Sequence, residues 1–387
     1  MFKRLKEIFL DEVKLVASDH SVLLTVIVAP MLYAFFLGSI YIFKDESNVK
    51  LGIVDMDRTM VSRSIVSALN STQKVEVINE LDDYAEAIDK VNSMEINGFL
   101  FIPHNFERDL KKMKGADLPL FLNTARFLPS NDINKTITKT VLMAGAGIRL
   151  KYFQAKEEIP SKLAMTQVMP LNPNTHILYN PTSNYGDFLL AGLFLLILHQ
   201  TLLIGFGESI ALTRQKGEAK KFYEKSGKNI FLMMNAKGSF YLLLFSATAL
   251  FFFTVVFQIF EISFKGNVFL VAVLTFFFLL SVLYYTIFLA SFFRTQTGLM
   301  EVFAFTSYPI FLVSGYSWPL DSMPIVLQWI AKFVPLTPYY DGILRVTQMG
   351  AEFRHVQGDL IHLIILTFVA MGAAYIRMKV LVKREEA

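Results

Sequence analysis

A pair of aspartates beside a threonine is the pattern in this sequence that comes nearest to enzyme chemistry. Asp55, Asp57 and Thr59 follow an apolar stretch, with one residue between each of them. In phosphotransferases with this arrangement, one aspartate is the nucleophile and the other is a general acid. The reaction also needs a downstream Ser or Thr, a Lys and a later acidic pair that holds magnesium. Asp82-Asp83 comes too early for that role. We therefore predict no phosphotransfer and expect Asp57 to cap the next helix.

A nucleotide site is the second chemistry that the sequence can be tested for. The P-loop pattern is Gly-x-x-x-x-Gly-Lys followed by Ser or Thr. The nearest fragment is Gly227-Lys228, but Phe222 occupies the first Gly position and Asn229 the last. The sequence has no cysteine, which excludes disulfides, thiol catalysis and Cys-ligated metal sites. We expect no catalytic residue, cofactor or metal in this chain, so it is not an enzyme by itself. If ATP and magnesium drive it, they bind another polypeptide.

The composition is typical of a membrane protein. Hydrophobic residues make up 53% of the 387 residues and charged residues 18%, and Phe alone occurs 37 times. Soluble domains are about 45–50% apolar and about 25% charged. A helix needs about 20 apolar residues to cross the hydrocarbon core of a bilayer. Six stretches approach or exceed this length: 21–43, 188–207, 239–260, 267–293, 298–320 and 360–376.

Basic residues in the short flanks predict the orientation of these six transmembrane helices. They are concentrated before the first span, between the second and third, and after the fourth and sixth. The opposite flanks hold only Lys265, Lys332, Arg345 and Arg354. Cytoplasmic flanks are enriched in Lys and Arg. We predict a multi-pass protein of the cell inner (plasma) membrane, surrounded by membrane lipids, with both termini cytoplasmic and residues 44–185 extracytoplasmic. Because the basic residues act as topology signals, no nucleic-acid partner is expected.

Residues 44–185 are predicted to form an extracytoplasmic α/β domain inserted between the first two spans. Four short apolar strands alternate with helices, and their expected ranges are 51–54, 75–78, 98–102 and 118–122. A long helix from Pro129 to about residue 158 and a last strand at 163–169 follow. Alternation of strands and helices favours a mainly parallel sheet covered by helices.

Residues 1–20 are predicted to form an amphipathic helix in the membrane interface. Five apolar residues recur at helical spacing on one face: Phe2, Leu5, Phe9, Val13 and Val16. The other face is charged, which is typical of interfacial helices. An ordinary cytosolic flank is the alternative. Residues 21–43, the first transmembrane helix, follow directly.

Ionisable and polar residues inside the predicted spans are candidates for a functional role by default. They are His199, Gln200, Glu301 and His362. A neutral histidine bonded across helices is an equally good interpretation of the two histidines. Glu301 lies near a cytoplasmic end, where it would pair with Arg294 or reach water.

Residues 186–387 are predicted to form a five-helix transmembrane domain with two long connections. A cytoplasmic coupling loop is expected at 208–238. Its charged, Gly-punctuated part predicts either a solvated loop or a helix that docks on a cytosolic partner. An outer re-entrant loop is expected at 317–358, where prolines separate apolar pieces that are too short to cross.

Four short stretches, in this order along the chain, resemble those of a known protein family. The first is Leu51-Gly52-Ile53-Val54-Asp55-Met56-Asp57, with Ser62 following. The second is Phe101-Ile102-Pro103-His104-Asn105-Phe106. The third is Tyr179-Asn180-Pro181. The fourth is Ser314-Gly315-Tyr316-Ser317-Trp318-Pro319, with Met323-Pro324 and Pro335-Leu336-Thr337-Pro338. Together with the topology they resemble the ABC type-2 transporter permease family, in its branch with a large external domain after the first span. Members usually follow the second span with an Arg-Glu-x-Gly-Thr-like turn, where this chain has Arg214-Gln215-Lys216-Gly217-Glu218.

The resemblance implies a function and partners. A chain of this kind is the permease subunit of an ATP-binding cassette exporter, moving an amphipathic or lipid-like substrate out of the cytoplasm or the inner membrane. ATP and magnesium would bind a separate cytosolic ATPase subunit. A second copy or a sister permease would complete a dimer, and the external domain would receive substrate or a periplasmic adaptor protein. The competing interpretations are a membrane-anchored receptor or sensor with an external ligand-binding domain, which needs fewer spans, and a secondary transporter, which usually shows internal repeats.

The resemblance also implies roles for two sets of residues. The ATPase-coupling loop would contain Glu208, Arg214, Gln215, Lys216, Gly217 and Glu218. The outer gate loop would contain Gly315, Tyr316, Trp318, Pro319, Met323 and Pro324.

Overall fold

The computed structural model describes residues 2–43, 48–72, 74–78, 81–112, 116–157, 176, 178–180 and 184–386. The chain divides into two compact units. The helical unit is formed by the two ends of the chain, Met1–Lys44 and Leu178–Ala387. The sheet unit is formed by the segment between them, Asp45–Ile177.

The helical unit begins with α1 (Phe2–Ser18) and α2 (His20–Ile40). Asp19 separates them and caps α2, since its carboxylate accepts hydrogen bonds from the N–H groups of Ser21 and Val22, each at 3.1 Å. Residues Leu24–Val28 of α2 are π-helical and come just before Pro30, which has no N–H to donate to this turn. The predicted first span therefore forms, although its helix ends at Ile40.

The sheet unit contains a four-stranded sheet with the order β2-β1-β3-β4. The strands are β1 (Val49–Asp55), β2 (Val75–Ile78), β3 (Gly98–Ile102) and β4 (Leu120–Leu122). β1 pairs in parallel with both β2 and β3, and β4 joins β3 antiparallel. β1 is buried except at Lys50, as expected of a central parallel strand covered on both faces. The predicted parallel pairing is confirmed for β1, β2 and β3, whereas β4 is antiparallel. The predicted strand at 163–169 lies outside the described residues.

Among the described residues of the sheet unit, four helices accompany the sheet: α3 (Met60–Asn70), α4 (Tyr84–Asn92), α5 (Phe106–Lys111) and α6 (Phe127–Glu157). One hydrophobic cluster joins α3 and α6 to β1 through residues such as Leu51, Ile65 and Ile133. A second cluster joins α4 to the sheet through Ala87 and Phe99. The sheet is therefore buried between apolar side chains on both faces.

Thr59 caps α3, so the prediction that Asp57 does so is wrong. Thr59 Oγ1 accepts from the N–H of Ser62 at 3.3 Å, and Ser62 Oγ accepts from the N–H of Thr59 at 3.0 Å. Asp57 instead accepts from Thr59 Oγ1 at 2.8 Å and from the N–H of Glu107 at 3.0 Å, at the start of α5. The carboxyl ends of the neighbouring parallel strands β1 and β3 meet at one edge, which brings Asp57 to that helix rather than to its own. Burial opposes ionisation there, but the bonds from Glu107 and Thr59 lower the pKa of Asp57 overall.

Replacing Asp57 by Asn is expected to leave the sheet unit folded, because an amide oxygen still accepts both hydrogen bonds. Asp57→Ala is the matched variant that removes the acceptor, and it should lower the free energy of unfolding by about 1 kcal/mol or more. Denaturant-induced exposure of the sheet unit to protease, measured on the full chain, gives both values. A phosphatase activity that is present in the wild type and lost in Asp57→Asn would contradict the structural role.

The described part of the helical unit continues with eight further α-helices. They are α7 (Tyr185–Gln215), α8 (Ala219–Lys225), α9 (Ile230–Ile259), α10 (Val268–Ala290), α11 (Gln296–Val313), α12 (Ile325–Lys332), α13 (Leu336–Met349) and α14 (Phe353–Glu386). α7 packs against α2, α9, α10, α11 and α13. A helix in that position must be apolar on nearly all sides, as the sequence of α7 is.

Five helices in the described part of the chain are long and apolar enough to cross a membrane: α2, α7, α9, α10 and α14. They correspond to five of the six predicted spans, and the protein is a helical, multi-pass membrane protein. α11 corresponds to the remaining predicted span. It has 18 residues, contains Glu301 and Pro309 and is not among the five. A crossing by α11 stays a prediction.

Candidate functional site at the basic end of the helical unit

α7 does not stop where its apolar sequence stops. It continues through Glu208 and Arg214 to Gln215, and the next long helix, α9, already begins at Ile230. Between them lies the seven-residue helix α8. The predicted loop 208–238 is therefore much shorter, and most of it is helical. Its polar residues remain helical because several of them have partners on other helices.

A buried ion pair joins α1 to α9. Lys237 Nζ of α9 binds Glu12 Oε1 of α1, and the two side chains are only 9% and 2% exposed. Both groups have further partners on α7: Ser209 Oγ donates to Glu12 Oε2 at 2.8 Å, and Lys237 donates to Thr213 Oγ1 at 3.1 Å. Buried charges are tolerated when they are paired and hydrogen-bonded in this way. The pair explains how an acid of α1 and a lysine of α9 both lie inside the protein.

The buried face of α1 differs from the predicted one. Ile8, Glu12 and Val16 are buried at a spacing of four, whereas Val13 is 37% exposed. The sequence pattern put the charged residues of α1 on the face opposite the apolar one, and it gave no sign that Glu12 is buried. Phe9 remains partly buried, with its ring edge-on to Phe240 of α9 at 5.6 Å between centroids. The helix was therefore predicted, but its rotation was not.

α8 is connected to the same two helices. Lys225 Nζ of α8 binds the Asp11 carboxylate of α1. Lys237 of α9 lies over the ring of Phe222, 5.1 Å from its centroid. Two adjacent acids of α1 thus bind two lysines, one on α8 and one on α9.

Three of the six residues predicted for the coupling loop make internal contacts. Glu208 is fully buried and accepts a hydrogen bond from Ser21 Oγ of α2 at 2.8 Å. Arg214 Nη1 donates to the backbone carbonyls of Ser291, at 2.7 Å, and Phe293, just after α10. Gln215 Oε1 accepts from the N–H of Gln296, the first residue of α11.

The other three predicted residues, Lys216, Gly217 and Glu218, are exposed. Gly217 has a φ of +66° and ends α7 in the left-handed conformation that glycine adopts at low cost.

Exposed basic side chains cluster around these elements. They are Lys3, Arg4, Lys6, Lys14, Lys216, Lys220, Lys221, Lys228, Lys379 and Lys383. α1 contacts α9, and α8 contacts both α9 and α14. We call the region formed by α1, α8, the start of α9 and the end of α14 the basic end.

The four intramembrane candidates are divided between interior and surface. His199 and Gln200 are buried in α7, and their polar side-chain atoms have no hydrogen-bond partner among the described residues. Glu301 is exposed on α11, and no ion pair with Arg294 occurs in the described part of the chain. His362 Nε2 lies 2.8 Å from the carbonyl oxygen of Lys332 at the end of α12. The structure therefore assigns His362 a local contact and leaves His199 and Gln200 as the buried candidates.

The predicted gate loop packs through Tyr316. Its hydroxyl donates to the carbonyl of Phe188, and its ring stacks on those of Phe188 and Tyr340 at 5.0 and 4.8 Å. Gly192 of α7 lies so close to the Tyr316 ring that a Cβ there would clash with it. Tyr340 donates to the Gly192 carbonyl at 2.8 Å. Sequence reasoning selected Tyr316 but missed these three partners, although Tyr340 follows the Pro335–Pro338 stretch closely.

The other gate residues are spread along the connection to α12. Gly315 has a φ of +90° beside Tyr316. Pro319 and Met323 flank a 3-10 turn, and Pro324 precedes α12. Trp318 is 59% exposed, so it is less enclosed than Tyr316, whose ring is half-buried.

Both carboxylate oxygens of Asp55 accept hydrogen bonds within the turn that follows β1. One carboxylate oxygen accepts from the N–H groups of Asp57 and Arg58 at 3.0 and 2.9 Å, and the other accepts from Ser62 Oγ at 2.6 Å. These bonds give Asp55 a structural role.

Long apolar helices with polar contacts at one end define a multi-pass membrane protein. The family model described as ABC-2 family transporter protein matches residues 20–376, nearly the whole chain. The protein therefore belongs to the ABC-2 transporter family.

Two relatives show the extent of the likeness. The chain is 26% identical over 388 residues to the linearmycin resistance permease protein LnrN of Bacillus subtilis, covering 94% of this chain and 95% of the relative. It is 21% identical over 356 residues to ABC transporter G family member 20 of Dictyostelium discoideum. That match covers 90% of this chain, which spans only 46% of the longer Dictyostelium protein.

Proposed function

We propose that this chain is the membrane-spanning permease subunit of an ATP-driven exporter whose ATP is hydrolysed by a separate ATPase subunit. Its family membership is the observation that supports this most directly. A relative named as a permease matches it over almost the full length of both chains, and the sequence lacks a P-loop. The permease pairs with a second copy or a sister chain. Both termini lie in the cytoplasm, and the sheet unit lies outside, where it receives cargo or an adaptor protein.

The cargo is amphipathic or lipid-like. The groove between α9 and α10 supports this, since its aromatic lining contains Phe253, Phe257 and Phe276 with Thr254 and Gln258 beside them. The Bacillus relative is named for resistance to linearmycin, which supports outward transport of a compound to which a cell must be resistant.

Coupling runs along α7. Lys216 and Glu218, directly after α7, contact the ATPase, and movement of α8 reaches Lys237 and α1 through Phe222. Gly192, where Tyr316 packs, lies 23 residues before Gln215 in the same helix, or about 35 Å at 1.5 Å per residue. A displacement of one end of this helix therefore moves Gly192 and, with it, the gate loop that packs there.

The purified chain alone is expected to show no ATP binding and no ATP hydrolysis, because it has no P-loop. Co-expression with an ABC ATPase encoded beside its gene should yield a complex that hydrolyses ATP. Equilibrium dialysis with labelled ATP and a phosphate-release assay measure the two states. Stoichiometric ATP binding by the isolated chain, or failure of any ABC ATPase to co-purify, would overturn the proposal.

Cysteine labelling is expected to place Ser93 outside and Lys221 inside. The chain has no native cysteine, and both positions are exposed. A membrane-impermeant maleimide should therefore modify Ser93→Cys in intact cells, and Lys221→Cys only after the membrane is opened. The reverse pattern would place the sheet unit in the cytoplasm and contradict the topology.

A further inference from the structure

A groove at the basic end is lined by lysines and tyrosines. It lies where the α8–α9 connection meets the last turns of α14, and its volume is about 490 Å³, partly open to solvent. Lys228 and Tyr223 line one side, and Tyr375, Lys379 and Lys383 line the other. The groove therefore collects three positive charges from two separate parts of the chain.

These charges are not neutralised as those of two neighbouring lysines are. Lys225 and Lys237 bind Asp11 and Glu12, whereas Lys228, Lys379 and Lys383 make no ion pair among the residues that the structure describes. A fourth cation lies close by. The Arg4 guanidinium approaches Gly227, which has a φ of +73° and no room for a Cβ. Like charges gathered in a groove favour binding of an anion.

The groove lies where two candidate transmembrane helices expose apolar side chains. α9 and α14 are both long and apolar enough to cross a membrane. Apolar residues next to the groove in sequence are exposed on them: Phe231 is 48%, Ile376 66% and Val380 39% exposed. Tyrosines beside the lysines are typical of the level of lipid headgroups. The groove thus lies at the border between the apolar surface and the basic end.

We propose that this groove binds the phosphate of an anionic phospholipid, with the acyl chains lying along the exposed apolar residues of α9 and α14. Basic pockets between transmembrane helices bind anionic headgroups through charge and hydrogen bonds. An acidic protein segment would match the charge but not the apolar surface beside it. The bound lipid connects the start of α9 to the end of α14.

The test compares two triple variants of the full chain that lose the same charge. Lys228→Gln/Lys379→Gln/Lys383→Gln removes the three positive charges that line the groove. Lys216→Gln/Lys220→Gln/Lys221→Gln removes three exposed charges around α8 instead. Each purified protein is titrated with phosphatidylglycerol or phosphatidylcholine in mixed micelles, and bound lipid is counted by native mass spectrometry. The groove variant should lose about 100-fold in affinity for phosphatidylglycerol, since each of its three lysines contributes about 1 kcal/mol and about 1.4 kcal/mol corresponds to tenfold. The α8 variant should stay within about twofold of the wild type.

Four outcomes would overturn the inference. Equal loss in both variants, or no preference of the wild type for phosphatidylglycerol, would show that binding follows net charge or apolar surface alone. Inorganic phosphate that binds as tightly as the lipid would assign the groove to a soluble anion. Unchanged lipid binding in the groove variant would show that the groove lysines do not hold the lipid. The measurement uses the chain without an ATPase, so its failure would not bear on the proposed function.

Discussion

Lys237→Met is expected to displace α1 and abolish export. The substitution leaves the Glu12 carboxylate buried without its cation, and removing one partner of a buried ion pair costs about 3–5 kcal/mol. α1 can escape this cost by leaving α9, so its contact with α9 should be lost first. Phe9→Cys/Phe240→Cys reports that contact in this cysteine-free chain, because the two native rings touch. A short thiol cross-linker should join them efficiently in the wild-type background and weakly in Lys237→Met.

Glu12→Leu/Lys237→Met is the matched control for this experiment. It removes both charges and leaves apolar side chains of similar size, which restores much of the stability when no buried charge remains. Cross-linking should therefore recover in the double variant, and the free energies of unfolding of the single variants should not add. If Lys237→Met cross-links and exports like the wild type, the ion pair does not fix α1.

Lys216→Glu/Lys221→Glu is expected to reduce ATPase association by about 100-fold while membrane insertion stays normal. Both side chains are exposed around the end of α7, and like charges brought together in an interface cost several kcal/mol. Arg214 is unsuitable for this test because it donates to the carbonyls that follow α10, so its reversal would disturb the helical unit itself. Co-purification with the ATPase and export measured in the same cells give the two readouts.

Two further reversals locate the contact. Lys50→Glu/Lys112→Glu changes two exposed lysines of the sheet unit and should leave association unchanged. Lys379→Glu/Lys383→Glu changes the end of α14. Loss of association in this variant alone would place the ATPase contact at the C-terminal helix, and normal association in all three variants would remove the docking assignment.

Most helices of the helical unit could be predicted because burial in a bilayer requires a long apolar sequence. The same rule failed at the helix ends. The prediction placed Glu208, Arg214 and Lys237 in a loop. They belong to α7 and α9, because residues from distant parts of the chain supply the hydrogen bonds and the ion pair that their polar side chains need. A local pattern does not contain those partners. The strands of the sheet unit were easier to predict from the sequence, since turn residues bound their short apolar runs.

The residues of the candidate sites were predicted less completely than the elements. Tyr316 was selected from its motif, but Gly192 could not be, because a glycine in an apolar helix gives no sign of the ring that will lie on it. Asp57 was assigned to the wrong helix for a related reason: the adjacent sequence suggested α3, whereas strand pairing placed α5 nearer. Long-range contacts decided each of these cases.

The ion pair between Glu12 and Lys237 also sets an order of events during synthesis. The two residues are 225 positions apart, which corresponds to between about 11 and 45 s of translation at 5–20 residues per second. α2 and the whole β-sheet are made within that interval, before the lysine exists. Membrane targeting therefore cannot depend on the docked form of α1, because this form needs Lys237 of α9. Substitutions at Glu12 should accordingly spare early insertion and impair only the last stage of assembly.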